Sequence, residues 1–201
     1  MKKSIFLSFL VPLVSFGQPA YEAVDLGLSV KWASRNIGAT NIEQEGDLFA
    51  WGETTSKAEY TMTNYQYRDV DSQWTIDIGN EISNTQYDVA KAICKDEWRM
   101  PTQKEMLELC EKCSWKWTIC NDMYGYEVTG LNGNKIFMPA GKEREGHYWS
   151  GTLSQGLGRT AIELIISSQV YTTHGTYKFK GQMIRPVIAN SAIEEIQIPK
   201  E

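Results

Sequence analysis

The spacing of apolar residues along the chain changes period twice, and those changes divide it into segments. From Val24 to Ile37 apolar and polar residues alternate, with β-branched and aromatic side chains among them, which predicts a strand or hairpin. Gly46 to Glu53 holds the apolar run Leu48-Phe49-Ala50-Trp51 closed by Gly52, and predicts a short strand. Residues 54–82 are polar and aromatic without a period, and predict a long ordered loop, a kind of segment that tends to carry function or pack on its domain. Tyr87, Ala90 and Ile93 or Cys94 then fall on one side of a helix over about 85–93, with Ser83 or Asn84 as its cap. A second helix is better marked. Thr102 and Glu105 form a capping box, in which each side chain satisfies an orphan backbone donor, and Met106, Leu109, Cys110 and Cys113 recur as one apolar stripe.

After Ser114 the period becomes two. Trp115–Ile119 reads as a strand, and Tyr126–Thr129 and Lys135–Met138 flank Asn132-Gly133, the strongest short-range hairpin signal. Further strands are expected at Tyr148–Ser150, Ala161–Ile166, Gln169–Thr172 and Met183–Ile188. Strands, two helices and a strand-rich, mainly antiparallel second half predict an α+β domain over 21–189 rather than a wound parallel sheet.

The N-terminus changes this picture. Lys2-Lys3, an apolar stretch of about a dozen residues from Ile5 to Phe16, and Gly17-Gln18 have the form of a cleavable secretory signal over 1–18. The stretch is short of the roughly 20 residues needed to cross a bilayer, and Pro12 interrupts it. The chain is therefore expected to be exported, to the cell surface or beyond, with the periplasm as an alternative. No transmembrane segment follows. Losing Lys2 and Lys3 takes the formal charge from −5 to −7, a balance that argues against nucleic acid as partner. Export permits disulfides among Cys94, Cys110, Cys113 and Cys120. A bridge from Cys94 or Cys120 to the 110–113 pair, or four reduced thiols, are the readings left open. Cys110 and Cys113 share an apolar helix face, which disfavours structural zinc.

The motifs, taken in order, resemble a known family. Ala23-Val24-Asp25-Leu26-Gly27-Leu28-Ser29-Val30-Lys31-Trp32-Ala33-Ser34, Gly46-Asp47-Leu48-Phe49-Ala50-Trp51-Gly52-Glu53, Trp98-Arg99-Met100-Pro101-Thr102, Asn132-Gly133-Asn134-Lys135-Ile136-Phe137-Met138-Pro139-Ala140, Tyr148-Trp149-Ser150 and Arg185-Pro186-Val187 are similar to those of the Fibrobacter succinogenes major paralogous domain. The resemblance covers about 22–188 and implies a C-type-lectin-like fold in a surface or secreted protein of the Bacteroidetes, in some members an adhesin. Two departures stand out: the stretch Gly141–His147 is shorter than in other members, and Cys94, Cys110 and Cys120 are not expected of the family. The segment 190–201 resembles the beginning of a C-terminal sorting tail, or is a plain terminus.

Enzymes share that fold, so chemistry must be argued from residues. The formylglycine-generating relatives use a Cys pair late in the chain, and none follows Cys120 here; the iron-dependent relatives need three histidines, and only His147 and His174 are present. No G-x-S-x-G elbow supports a nucleophile. No catalytic or metal-binding residue and no cofactor are predicted; calcium is left open without a motif, since Asp69-Val70-Asp71 lacks the glycine and closing glutamate of a calcium loop. Of Trp32, Trp51, Trp98, Trp115, Trp117 and Trp149, which lie inside the motifs that resemble the family, most are expected in the core, with Trp74 outside them and exposed. The resemblance places ligands on the second half of the fold. There Arg144, His147, Arg159, Tyr171, His174 and Tyr177 are the candidates, rings for stacking and polar tips for orientation. The expected function is a binding module for a glycan or protein ligand; the alternatives are a structural subunit of a surface appendage and an enzyme of unrecognised type. Whether Tyr171, His174 and Tyr177 share one exposed concave face decides this set of residues: if they scatter, it is wrong as a single site.

Overall fold

A computed structural model describes residues 21–71, 75–95, 97–156 and 158–190. The segment read as a secretory signal, the tail from 191 and Trp74 lie outside the described residues. Among the described residues are two short α-helices, one 3-10 turn and nine strands in three antiparallel three-stranded sheets, an α+β architecture. The first sheet joins β1 (Ala23–Asp25), β2 (Val30–Ala33) and β9 (Val187–Ala189), so the two ends of the described chain close on each other. The second is a meander of β3 (Ser114–Cys120), β4 (Met123–Thr129) and β5 (Lys135–Pro139). The third joins β6 (Glu145–Leu153), β7 (Thr160–Ser167) and β8 (Val170–Tyr177), with β6 and β8 at its edges. Among the described residues no helix is long and apolar enough to span a membrane.

Helix α2 (Gln103–Lys112) starts where the capping box places it: Thr102 accepts from the Glu105 amide and the Glu105 carboxylate accepts from the Thr102 amide. Helix α1 (Val89–Cys94) starts later than the sequence suggested. Its cap is Asp88, whose carboxylate accepts from the Ala90 and Lys91 amides, while Asn84 sits at φ +65°, away from the extended backbone a cap adopts. Asp88 also accepts from the Met100 and Asn84 amides, so one buried carboxylate fastens the helix to the strand-like Arg99-Met100 segment.

The run Gly46–Glu53 is not a strand. It has one bridge, Phe49 to Gln182, and is apolar because Phe49, Ala50 and Trp51 are buried in the junction between the loop and the third sheet. Gly46 is needed at its start: at φ +75° a Cβ would lie 2.0 Å from the Ile37 carbonyl oxygen. Of Met183–Ile188, only the end becomes strand, in β9; Met183 makes a single parallel bridge to Tyr148.

The third sheet separates two apolar clusters, and the pleat of its strands decides which side chain joins which. Tyr148, Leu164 and Ile166 pack with Leu28, Trp32, Met106, Leu109 and Val128. Trp149 and Ala161, on the other face, pack with Phe49, Trp51, Ile82, Val89 and Met100. Trp51 and Trp149 each bury a full indole and satisfy its N–H with a carbonyl, Ser150 and Phe49 respectively, both at 2.9 Å. Trp32 and Trp98 are buried as expected, whereas Trp115 and Trp117 are only half-buried.

Arg185 is the polar centre of the junction. Fully buried, it donates from Nε to Asn36 Oδ1 at 2.7 Å, from Nη1 to the Ala33 and Ser34 carbonyls at 3.0 and 3.2 Å, and from Nη2 to the Phe137 carbonyl at 2.9 Å. One planar guanidinium therefore ties β2 and the segment after it to β5. All four cysteines are free and half-buried, so no disulfide supports this framework. Burial pushes the thiols of Cys94 and Cys110 up to about 12 and that of Cys113 up to about 11.

Candidate functional site

The register of the third sheet disperses the six candidate residues. In β8, residues 171 and 177 fall on one face and 174 on the other, so Tyr171, His174 and Tyr177 do not share a face. Tyr171 and Tyr177 are themselves six residues apart along the strand, about 20 Å. The expectation of one concave face is corrected by this alternation. What forms instead is three separate constellations.

The first is aromatic. Tyr171 stacks on Trp115 with ring centres 4.6 Å apart and planes within 6°; Trp117 stacks on Tyr124, and Tyr126 meets Trp115, Trp117 and Tyr171 edge-on. Arg144, at φ +59° in the turn before β6, lays its guanidinium 4.2 Å from the centre of the Tyr124 ring. These rings spend their faces on one another, which makes the row a packing element between the second sheet and β8 of the third.

The second joins both histidines. Glu163 lies opposite Trp149 on β6 and opposite His174 on β8, and His147 is two residues before Trp149, so all three point to the same face. Glu163 is 1% exposed. Its two carboxylate oxygens each take one imidazole: His147 Nδ1 at 2.9 Å and His174 Nε2 at 3.0 Å. The far nitrogen of His147 faces Glu145 at 3.5 Å, and that of His174 faces the Gly175 carbonyl at 3.2 Å. The hydrogen bond to Glu163 raises the His147 pKa, helped by the charges of Glu163 and Glu145 and opposed by burial and by Lys180. Among the described residues neither ring is hydrogen-bonded to a hydroxyl or thiol, so no nucleophile–base pair is assembled. Glu163 was not singled out in the sequence. Its signal was present, a lone acid inside the apolar run Ala161-Ile162-Glu163-Leu164-Ile165-Ile166.

The third is a cleft of about 410 Å³ where the long loop meets the open end of the β7–β8 hairpin. Arg159 and Tyr177, two of the six candidates, line it together with Arg68, Val70, Thr75 and Phe179. The backbone bridge of Arg68 to Thr75 pinches the loop, and the Thr75 hydroxyl donates to the Gly158 carbonyl at 2.7 Å, fastening loop to hairpin. Lys178 continues the pairing past β8 by donating its amide to the Arg159 carbonyl. Tyr177 is 51% exposed and stacks on Phe179, ring centres 5.5 Å apart and planes 17° from parallel. Two rings and two guanidinium groups thus meet in one concavity.

No family model, curated protein or solved structure matches this chain. A second depression, of about 480 Å³, lies beside β1 and β5 with Glu22, Asp25, Ser34 and Lys135 among its lining residues. It offers no exposed ring for stacking. Among the described residues no group of three or more His, Cys, Asp or Glu is arranged to hold a metal ion.

Proposed function

We propose that this chain is an exported binding module of C-type-lectin-like fold, at the cell surface or secreted, that recognises a glycan or protein ligand through the Tyr177 cleft. One observation carries the reading. An exposed tyrosine backed by a stacked phenylalanine sits in a concavity of ligand size, rimmed by fork-shaped donors that set orientation. The motif series resembling the Fibrobacter succinogenes major paralogous domain and the secretory form of residues 1–18 support the fold and the location. The pairing of both imidazoles with one buried carboxylate, and not with a nucleophile, supports binding over catalysis.

The test is a glycan array and a panel of surface proteins probed with the purified protein and with Tyr177→Ala. Binding that falls roughly tenfold or more in the variant, at unchanged circular dichroism, supports the reading. Assembly into filaments visible by electron microscopy, without affinity for any free ligand, replaces it with a structural subunit of an appendage.

A further inference from the structure

The protein is acidic overall, with a formal charge of −5, yet the cleft gathers cations. Arg68 and Arg159 line it against the single acid Asp69. Among the described residues the Arg68 guanidinium makes no hydrogen bond or ion pair. Behind the wall lies a third cation. Lys178 is 2% exposed, and its ammonium donates to Thr75 Oγ1 at 3.2 Å and sits 4.8 Å from the centre of the Trp51 ring. No carboxylate among the described residues lies within ion-pair reach of it; Asp77 acts on it only from farther away. A buried ammonium without a counter-ion is costly, and in a medium of low dielectric its field is felt at the nearest opening. That opening is the cleft, since Thr75 both accepts from Lys178 and lines the concavity.

We propose that the cleft selects a saccharide bearing a carboxylate, a uronic- or sialic-acid type of sugar. The inference rests on the reading of the cleft as the ligand site and adds the ligand's charge and class. The sugar ring lies on the Tyr177–Phe179 shelf, its C–H face against the exposed ring, with Met62 and Val70 as apolar rim. Its carboxylate takes the two parallel donors of Arg68, a planar fork that matches it, and supplies the charge that Lys178 lacks. The volume of about 410 Å³ suits one or two sugar rings. An extended acidic peptide fits less well. It would need a run of backbone donors along a strand edge, and the cleft lies across the end of β8 rather than along it.

The experiment is calorimetric titration of the purified protein with matched pairs: sialyllactose against lactose, and oligogalacturonide against neutral galacto-oligosaccharide. A short glutamate peptide serves as the acidic non-sugar. The acid member of at least one pair is expected to bind roughly tenfold or more tightly than its neutral partner, with affinity that falls as salt rises. Arg68→Gln and Lys178→Met are each expected to abolish that preference, so that acid and neutral partners bind the same variant within a factor of about two of each other. Arg68→Gln changes a surface group, so the test does not depend on how Lys178→Met folds. Neutral and acid sugars bound alike in a Tyr177-dependent way overturn the charge proposal and leave the cleft as a glycan site. An acid preference that survives Arg68→Gln also overturns it, and equal binding of the glutamate peptide overturns the saccharide class. No binding of any of these sugars by the wild-type protein overturns the saccharide proposal, whereas loss of all binding to the glycan array and the surface-protein panel is what removes the cleft reading itself.

Discussion

Replacing Lys178 with Met should make this protein more stable at neutral pH and abolish one component of its pH dependence. Burial pushes the Lys178 pKa from 10.5 down to about 8, with Asp77 opposing that shift weakly. The unfolded chain holds the proton up to about 10.5, whereas the folded chain releases it from about 8. Between those values the unfolded state binds more protons, so stability rises with pH. Below pH 8 the penalty is fully present. At 1.36 kcal/mol per unit, it amounts to about 3 kcal/mol at pH 7 and shrinks to roughly 1 kcal/mol by pH 9.5. The variant also loses the bond to Thr75 and the contact over Trp51, each contributing about 1 kcal/mol. The net gain at pH 7 is therefore about 1 kcal/mol, and the advantage falls by about 2 kcal/mol on going to pH 9.5. Urea unfolding of both proteins at pH 7.0 and 9.5 measures this, and taking the difference between them cancels the ionisation of the buried tyrosines common to both. A gap that stays constant with pH refutes the picture of a charged, uncompensated lysine.

Three further outcomes follow from buried polar groups. Arg185→Lys should lower stability by about 2–4 kcal/mol in urea unfolding, because an ammonium has three donors and no planar fork for the acceptors of Asn36, Ala33, Ser34 and Phe137. Glu163→Gln should lower the His147 pKa read from imidazole proton shifts in NMR, since the carboxylate is its principal cause. A raised histidine pKa stabilises below the unfolded value of about 6.5 and loses that contribution as pH rises through the folded value, so the stability gap between wild type and Glu163→Gln should narrow from pH 5.5 to 8.5. At pH 8, Cys94, Cys110 and Cys113 should resist iodoacetamide in the folded protein and react once it is unfolded, as mass spectrometry of peptides would show.

Elements whose information is local were legible in the sequence. The capping box at Thr102 and Glu105, the Asn132-Gly133 turn and the period-two strands at Trp115–Ile119, Tyr126–Thr129, Lys135–Met138 and Ala161–Ile166 need only near neighbours in the chain, and the structure has them where the pattern put them, whereas most of Met183–Ile188 forms no strand. The two misread starts show what local pattern omits. Asp88 outcompetes Ser83 and Asn84 as a cap because Met100, twelve residues on, also needs its carboxylate. Gly46–Glu53 looked like a strand because burial on all sides gives the same apolar run as a buried strand, with or without a ladder of hydrogen bonds.

The candidate site was only partly legible, for a related reason. Arg159 and Tyr177 were picked out as polar and aromatic residues of the second half, and the register of β7 and β8 does bring them together, Thr160 opposite Tyr177. The other wall comes from Arg68 to Thr75, residues separated from Tyr177 by about a hundred positions and linked to it through the Thr75 hydroxyl and the Gly158 carbonyl. No spacing rule encodes that closure. The same closure decides the role of Lys178. Nothing in the local sequence Tyr177-Lys178-Phe179 marks the lysine as buried. The loop decides it: bonded through Thr75, it meets the lysine held against Trp51, while Tyr177 stays exposed on the Phe179 ring. A loop that buries a cation and bares a tyrosine works against ordinary folding preference at both positions, and the two costs meet at one cleft. A ligand that stacks on the ring and brings a negative charge relieves both together.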